Sequence, residues 1–430
     1  LNTQEQRGAT LLELLRQGRF LLFTLVQSVS QLGDRLNHLA LIALLADRAR
    51  HSPLAFSELA VYFTLPNILF APVSGVVVDR LPRKWILVAG DLSRAVLVAL
   101  IPLIIWADLP LRAVFLMVFL IFFMGIFYSA ARMSVIPDLL PSERYYLQAN
   151  SMMNILGRLA TVAGMVVAGY VIDWPGWTRW RVEGWAVGFW MDSLTYLLAG
   201  LTILLLPLRH AAMTVDRHLL RELSEKERHF FRILYQDLRE LVHLLRRDPV
   251  IRWTLASVFL LVVVAGSVYT LVVVQVQQVL GYGTRGIGLL GGVGAVGMVS
   301  GALFFSHFGH RWSRKASLFF SLGVLGLLLV AFSFPASFRV ILLYGLLGGA
   351  FLTVVMITQD TVLHETVPES FRGRVFSLRD MLLAGGFLLT SLLVAPPGEY
   401  FGVMPTLRTV GILVAILSWG IWPLLRTRRA

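Results

Sequence analysis

Two apolar runs, residues 56–78 and 85–106, are separated by only six residues, Asp79-Arg80-Leu81-Pro82-Arg83-Lys84, and all but two of these are charged. About 20 helical residues span the roughly 30 Å hydrocarbon core of a bilayer. Two such runs with so short a polar break therefore form a pair of membrane helices meeting at a tight loop. Lipid permits few alternatives, because a spanning backbone must satisfy its own N–H and C=O groups. The alternation continues along the chain, with apolar runs at about 20–45, 111–131, 185–206, 251–280, 287–308, 316–334, 339–363, 375–394 and 405–425, and a fifth span opening near Asn150. The pattern predicts an all-α membrane protein of twelve transmembrane helices.

A soluble chain of 430 residues needs polar surfaces, and here 57% of residues are hydrophobic and only 15% charged, against roughly a quarter charged in soluble domains. The net charge of +13 suggests nucleic acid only until its distribution is mapped. With the N-terminus placed inside, Arg80, Arg83, Lys84, the arginines of 208–250, Arg311, Arg314, Lys315, Arg372, Arg374 and the C-terminal arginines all fall inside. Outside fall only Arg48, Arg50, Arg112, Arg179, Arg181, Arg285, Arg339 and Arg408. That asymmetry follows the positive-inside rule, so the basic charge reports topology, with both termini cytoplasmic, and no nucleic-acid partner is expected. Cysteine is absent, which excludes a metal-thiolate site. No signal peptide is expected in residues 1–19, and no cofactor or metal site is read anywhere.

The polar break has an echo. His310-Arg311-Trp312-Ser313-Arg314-Lys315 lies between two later apolar runs, with Arg311, Arg314 and Lys315 in the places of Arg80, Arg83 and Lys84. Pro141-Ser142-Glu143-Arg144 is likewise answered by Pro368-Glu369-Ser370-Phe371-Arg372-Gly373-Arg374. Two halves in parallel are what a duplicated six-helix transporter shows, and they predict bundles at 1–207 and 251–430 joined by a cytoplasmic linker, 208–250. In that linker Phe231, Leu234, Leu238, Leu241 and Leu245 trace an amphipathic stripe suited to the membrane surface.

Gly75, Asp79, Arg80, Arg83 and Lys84 resemble the signature loop between the second and third helices of the major facilitator superfamily, G-x-x-x-D-R-x-G-R-[RK], with Pro82 standing at its glycine. Ala131-Arg132, Pro137-Asp138, Ala149-Asn150-Ser151 and above all Arg372-Gly373-Arg374-Val375 resemble the drug- and siderophore-exporting branch. The resemblance implies two six-helix bundles rocking about a central cavity, and export coupled to inward proton flow. It also implies that Asp79 faces the N-terminal end of the eleventh helix as a cytoplasmic gate, with Arg372 and Arg374 just before that helix as charge partners.

Candidate site residues follow from polar groups stranded in apolar runs. On the first span Gln27, Gln31, Asp34 and His38 recur at helical spacing and share one face. An ionisable group at mid-span is costly unless it faces a cavity or a partner. Asp34 is therefore either paired with Arg35 or Arg94 or exposed to a cavity as the proton carrier. Asp91 and Arg94 at i, i+3 suit a structural pair on the third span. Asn154 and Arg158 share a face of the fifth with Asn150. Asp192 sits near the outer end of the sixth and is expected to reach water. The seventh carries Tyr269, Gln275 and Gln278, and the eighth is glycine-laden, for close helix approach or for bending. On the tenth, Asp360 and His364 at i, i+4 fit either a proton-binding pair or a plain helix-end ion pair.

Enzymatic and nucleotide-driven readings find no support. With lysine only at 84, 226 and 315, G-x-x-x-x-G-K-[ST] cannot be written. His364-Glu365-Thr366-Val367-Pro368 lacks the second histidine of a zinc-protease helix. The expectation is a monomeric antiporter of a cell membrane, exporting drug-like amphipathic molecules in exchange for protons. A siderophore exporter and a lysolipid flippase on the same fold are its rivals, and a non-transporting receptor a remote one.

Overall fold

In the computed structural model the described residues are 14, 17–49, 52–140, 142, 145–207 and 249–424, without the side chains of 72, 76, 79, 80, 278, 370, 374 and 421–424. The amphipathic linker stripe and the loop 141–144, apart from Ser142, lie outside them. Among the described residues twelve long helices are observed: α1 Gly18–Arg48, α2 Pro53–Arg80, α3 Arg83–Trp106, α4 Leu111–Leu139, α5 Tyr146–Ile172, α6 Gly184–Leu205, α7 Pro249–Ser267, α8 Gly283–Phe308, α9 Arg314–Phe332, α10 Phe338–Thr366, α11 Glu369–Tyr400 and α12 Val403–Leu424. Among the described residues, eleven of these segments are long and apolar enough to cross a membrane. The remaining one, α1, has the length at 31 residues but carries Asp34 and Arg35 at its middle.

Three boundaries depart from the apolar runs. Helix α4 continues past Ala131 to Leu139 because Val135, Ile136 and Leu139 are buried against Tyr145, Ala149 and Met152, which brings Arg132 inside it. Helix α11 begins at Glu369, behind Pro368 as N-cap, so Arg372 and Arg374 lie in its first turns instead of before it. Helix α7 ends at Ser267 and is prolonged by two wide π-helical stretches, Val268–Val272 and Gln275–Val279, the kind of local expansion that recurs at functional sites.

Large apolar side chains point outward all along the bundle helices, among them Val96, Leu116, Leu194, Leu303 and Ile416, each at least half exposed. That is a liability in water and the expected surface in lipid. The tryptophan-rich loop after α5 makes one helical turn, Gly176–Arg179. Trp174, Trp177 and Trp180 meet there edge to face, with centroids 4.7 to 6.2 Å apart, an aromatic cluster suited to the interface.

With lipid as solvent, burial of apolar area drives helices together weakly, and close backbone approach takes over. Helices α8 and α10 show it: a Cβ on Gly297 would stand 2.1 Å from the Leu346 carbonyl oxygen. Gly297 and Gly301 of α8 therefore serve close approach.

The described residues form two compact units. One comprises residues up to 44 and from 65 to 207. The other comprises 249–424 together with 45–64, where Phe56 and Phe63 stack with Tyr269 and Phe387 and Ser52 donates to Glu399 at 2.7 Å.

The two echoed loops share a cap position. Pro82 is the N-cap of α3 with φ −59° and ψ 110°, so no left-handed backbone is required where the signature has glycine. Its counterpart Ser313 caps α9, its hydroxyl accepting from the Ala316 amide at 3.1 Å. Ser313→Ala is expected to cost about 1 kcal/mol, read as a drop of a few degrees in the melting temperature of the purified protein.

Candidate functional site

The first unit holds a continuous polar network in its interior. Arg94 on α3 bonds Asp91 one turn back, Nη2 to Oδ1 at 2.5 Å, and donates through Nε to the Gly90 carbonyl at 3.1 Å. Its guanidinium lies 4.1 Å from the ring centroid of Tyr128 on α4 and 4.3 Å from that of Tyr196 on α6, so two aromatic faces replace the water it has lost. Each tyrosine then reaches α1. Gln27 Nε2 donates to the Tyr128 hydroxyl, and the Tyr196 hydroxyl donates to Asp34 Oδ1 at 2.5 Å. One arginine thus ties Gln27 to Asp34 through two phenols.

Sequence spacing left Asp34 free to pair with Arg35 or Arg94. Its partner is Tyr196, and Arg94 is committed to Asp91. Asp34 is half-buried, whereas Asp91 is fully buried. Helix α1 approaches α6 this closely because of Gly33: a Cβ there would stand 2.1 Å from Thr195 Oγ1 and 2.5 Å from Asp192 Oδ1.

Asp192 corrects the expectation of a helix-end acid reaching water. It is fully buried, accepting from Asn37 Nδ2 at 2.9 Å and from Thr195 Oγ1 at 3.3 Å. Asp34, Asp91 and Asp192 thus outnumber the one buried guanidinium beside them, Arg94, with Arg35, half-buried like Asp34, next along α1. Such an excess is expensive in low dielectric unless a proton or another cation offsets it. Tyr128, Tyr196 and Asp192 were missed as site residues; the only sequence signal was Asp192 and Tyr196 at i, i+4 on one face of α6.

The remaining stripe residues part company. His38 is half-buried a turn beyond Asp34. Gln31 lines a cavity of about 290 Å³ together with Asn150, Asn154 and Arg158 of α5 and Arg132 of α4. Gly157 makes room for it: a Cβ there would stand 2.5 Å from Gln31 Oε1.

In the signature loop, Arg83 Nη1 donates to the Ser134 carbonyl near the end of α4, and Lys84 Nζ to the Leu206 carbonyl at the end of α6, both at 2.8 Å. Cations are favourable at helix C-termini, so these two residues tie three helices of the first unit together. Gly75 has open space where a side chain would stand. The side chains of Asp79, Arg80 and Arg374 lie outside the described residues. The echoed loop makes different contacts: Arg314 meets Glu365 at 3.4 Å, Lys315 lies 5.6 Å from the Trp253 ring, and Arg311 lies 5.8 Å from the Phe308 ring. Arg372 donates to the His364 and Val367 carbonyls at 3.3 Å, closing the end of α10.

In the second unit the partner of Asp360 is Arg379 of α11 at 2.9 Å, and His364 instead packs on Phe376. The i, i+4 pair expected from the sequence is replaced by one between helices. Gln359 donates to Ser257 at 3.0 Å. Gln275, fully buried in the second π-helical stretch, has no hydrogen-bond partner for either amide atom among the described residues. Among the described residues no group of His, Cys, Asp and Glu is arranged to hold a metal ion.

The sequence profile of the Major Facilitator Superfamily matches residues 23–391 and 274–430. YfiS of Bacillus subtilis strain 168, described as an uncharacterised MFS-type transporter, is 25% identical over 409 residues, 91% of this chain and 89% of that protein. The crystal structure of the nucleoside transporter NupG superposes with a TM-score of 0.72 at 10% identity, over 95% of this chain and 100% of that one. A bacterial homologue of the human lysosomal transporter Spinster, crystallised inward-facing and unoccupied, gives 0.68 at 14% identity, over 94% and 95%. At such identities the structural likeness concerns the fold alone.

Proposed function

Because the chain belongs to the major facilitator superfamily and is a multi-pass membrane transporter of that type, we propose that it exports small amphipathic molecules across a cell membrane in exchange for protons. The observation that carries the proton half is the Asp34–Tyr196–Arg94–Asp91 network. Asp34 is its accessible acid, half-buried while Asp91 and Asp192 are sealed. A proton on Asp34 removes a negative charge from the group of acids around Arg94 and changes what Tyr196 is bonded to. Because α1 and α6 meet through that bond and through Gly33, protonation biases how the two helices pack. A carrier needs such a bias, since occupied and empty forms must differ in their preferred conformation.

Bundles 1–207 and 251–430, linked by 208–250, are the moving parts of this reading. The signature loop is the cytoplasmic gate of this reading, built on Arg83 and Lys84 holding α4 and α6. Export, of a drug-like molecule or a siderophore, is favoured over lysolipid flipping by the resemblance of Arg372-Gly373-Arg374-Val375 to the drug- and siderophore-exporting branch.

The experiment is a toxicity and accumulation panel in an efflux-deficient bacterium expressing the chain, with and without an uncoupler. Lower accumulation of some compounds, abolished by the uncoupler, is expected. Accumulation unchanged for every compound, or lowered equally with the uncoupler present, would overturn the reading.

A further inference from the structure

We infer that the cavity between α1, α4 and α5 recognises an anionic group, so that the cargo is an amphipathic anion. The inference rests on the transporter reading above but not on proton coupling. The charged side chains lining the cavity are two arginines, Arg132 and Arg158, with no carboxylate among its walls. Arg132 Nε is buried with no hydrogen-bond partner among the described residues, and neither arginine takes part in an ion pair there. Asn154 has spent its donor on Asn150, at 2.8 Å to the carbonyl and 3.1 Å to Oδ1. The cavity therefore presents guanidinium donors, and beside them the Gln31 amide seated over Gly157.

Two guanidiniums on a cavity wall, without an ion pair among the described residues, fit a carboxylate, sulfonate or phosphate, which they bind in fork geometry. A cationic cargo would meet two positive charges there and no carboxylate. Beside Asn150 and Thr161 the wall carries an adaptable apolar stretch, Met133, Ile136 and Met153, as the stem of an amphipathic anion requires. At about 290 Å³ the space lies at the small end of ligand pockets, roughly 300–1,000 Å³. It seats a head group and short stem, not a whole drug-sized molecule. A proton on Asp34 removes a charge that repels such an anion, so the proposed exchange must keep the two apart by conformation and not by charge.

The test uses the full chain in phosphatidylcholine nanodiscs at one pH without a gradient. Binding of matched acid and amide probes, 1-naphthylacetate against 1-naphthylacetamide and decanoate against decanamide, is measured by calorimetry. At least one acid is expected to bind about tenfold or more tightly than its amide. Arg158→Gln, an exposed position, is expected to remove that advantage by weakening the acid far more than the amide, and Arg132→Lys to keep most of it. If no acid outbinds its amide, or if the advantage survives Arg158→Gln, the inference is overturned. Added phosphatidylglycerol that competes with the acid would support the anion site and name a lipid head group as its occupant; absence of competition would support a soluble anion. Export that ignores an uncoupler would sink proton exchange and leave this result standing.

Discussion

Asp34→Asn is expected to lower transport driven by a pH gradient by roughly 100-fold, the upper range of coupling between two sites, while the protein still folds and inserts. Asparagine keeps the shape and an oxygen that accepts from Tyr196, so the 2.5 Å contact and the α1–α6 seam survive. What it removes is the capacity to take up and release a proton. The neighbouring acids do not allow so clean a separation. Asp91→Asn would leave Arg94 buried without its ion-pair partner, which costs about 3–5 kcal/mol, and Asp192→Asn would set an amide against the Asn37 donor. The measurement is substrate uptake into inverted vesicles with an imposed pH gradient, normalised to inserted protein. If uptake by Asp34→Asn stays as sensitive to the gradient as wild type, Asp34 is not the coupling group.

The apolar runs made the number and rough placement of the helices legible, because a spanning helix is a property of one continuous segment. What they could not show were side-chain pairs made through space. Asp192 looked like a helix-end acid because its distance from the span's end was all that could be read; its burial comes from Gly33 letting α1 press against α6. Tyr128 and Tyr196 sit in almost wholly apolar runs, and nothing along the chain announces that both flank Arg94. Asp360 and His364 have the spacing of a pair, yet the helix is turned so that Arg379 of α11 reaches the acid first. The echoed loops mislead in the same way: matched in sequence, they hold carbonyls in the first unit and a glutamate and aromatic rings in the second. Helix ends moved wherever an amphipathic turn was buried beyond the apolar run, as at Leu139.

The other large effect is expected from a single methyl group. On Gly349 of α10 a Cβ would stand 1.9 Å from the Gly294 carbonyl oxygen and 3.0 Å from the Met298 amide nitrogen of α8. Its obstacles are backbone atoms, which no rotamer change can move. Gly349→Ala must push α10 off α8, opening the seam that Gly297 and Gly301 also depend on, where added Cβ atoms would lie 2.1 and 2.5 Å from α10 carbonyl oxygens. A cost of about 3 kcal/mol or more is expected, seen as a severalfold loss of monodisperse protein on size-exclusion chromatography. The neighbouring Gly348→Ala is the control, since its Cβ would meet nothing nearer than Leu328 Cδ1 at 3.9 Å. There the substitution relieves helical glycine and is expected to be neutral or to stabilise by up to about 1 kcal/mol. Helix propensity acts alike at these adjacent positions, so a difference between the two variants measures backbone contact alone. Equal yields would mean that α8 and α10 are not held by close approach, and that the second unit owes its stability to the packing of α9 with α12 and α7 with α11.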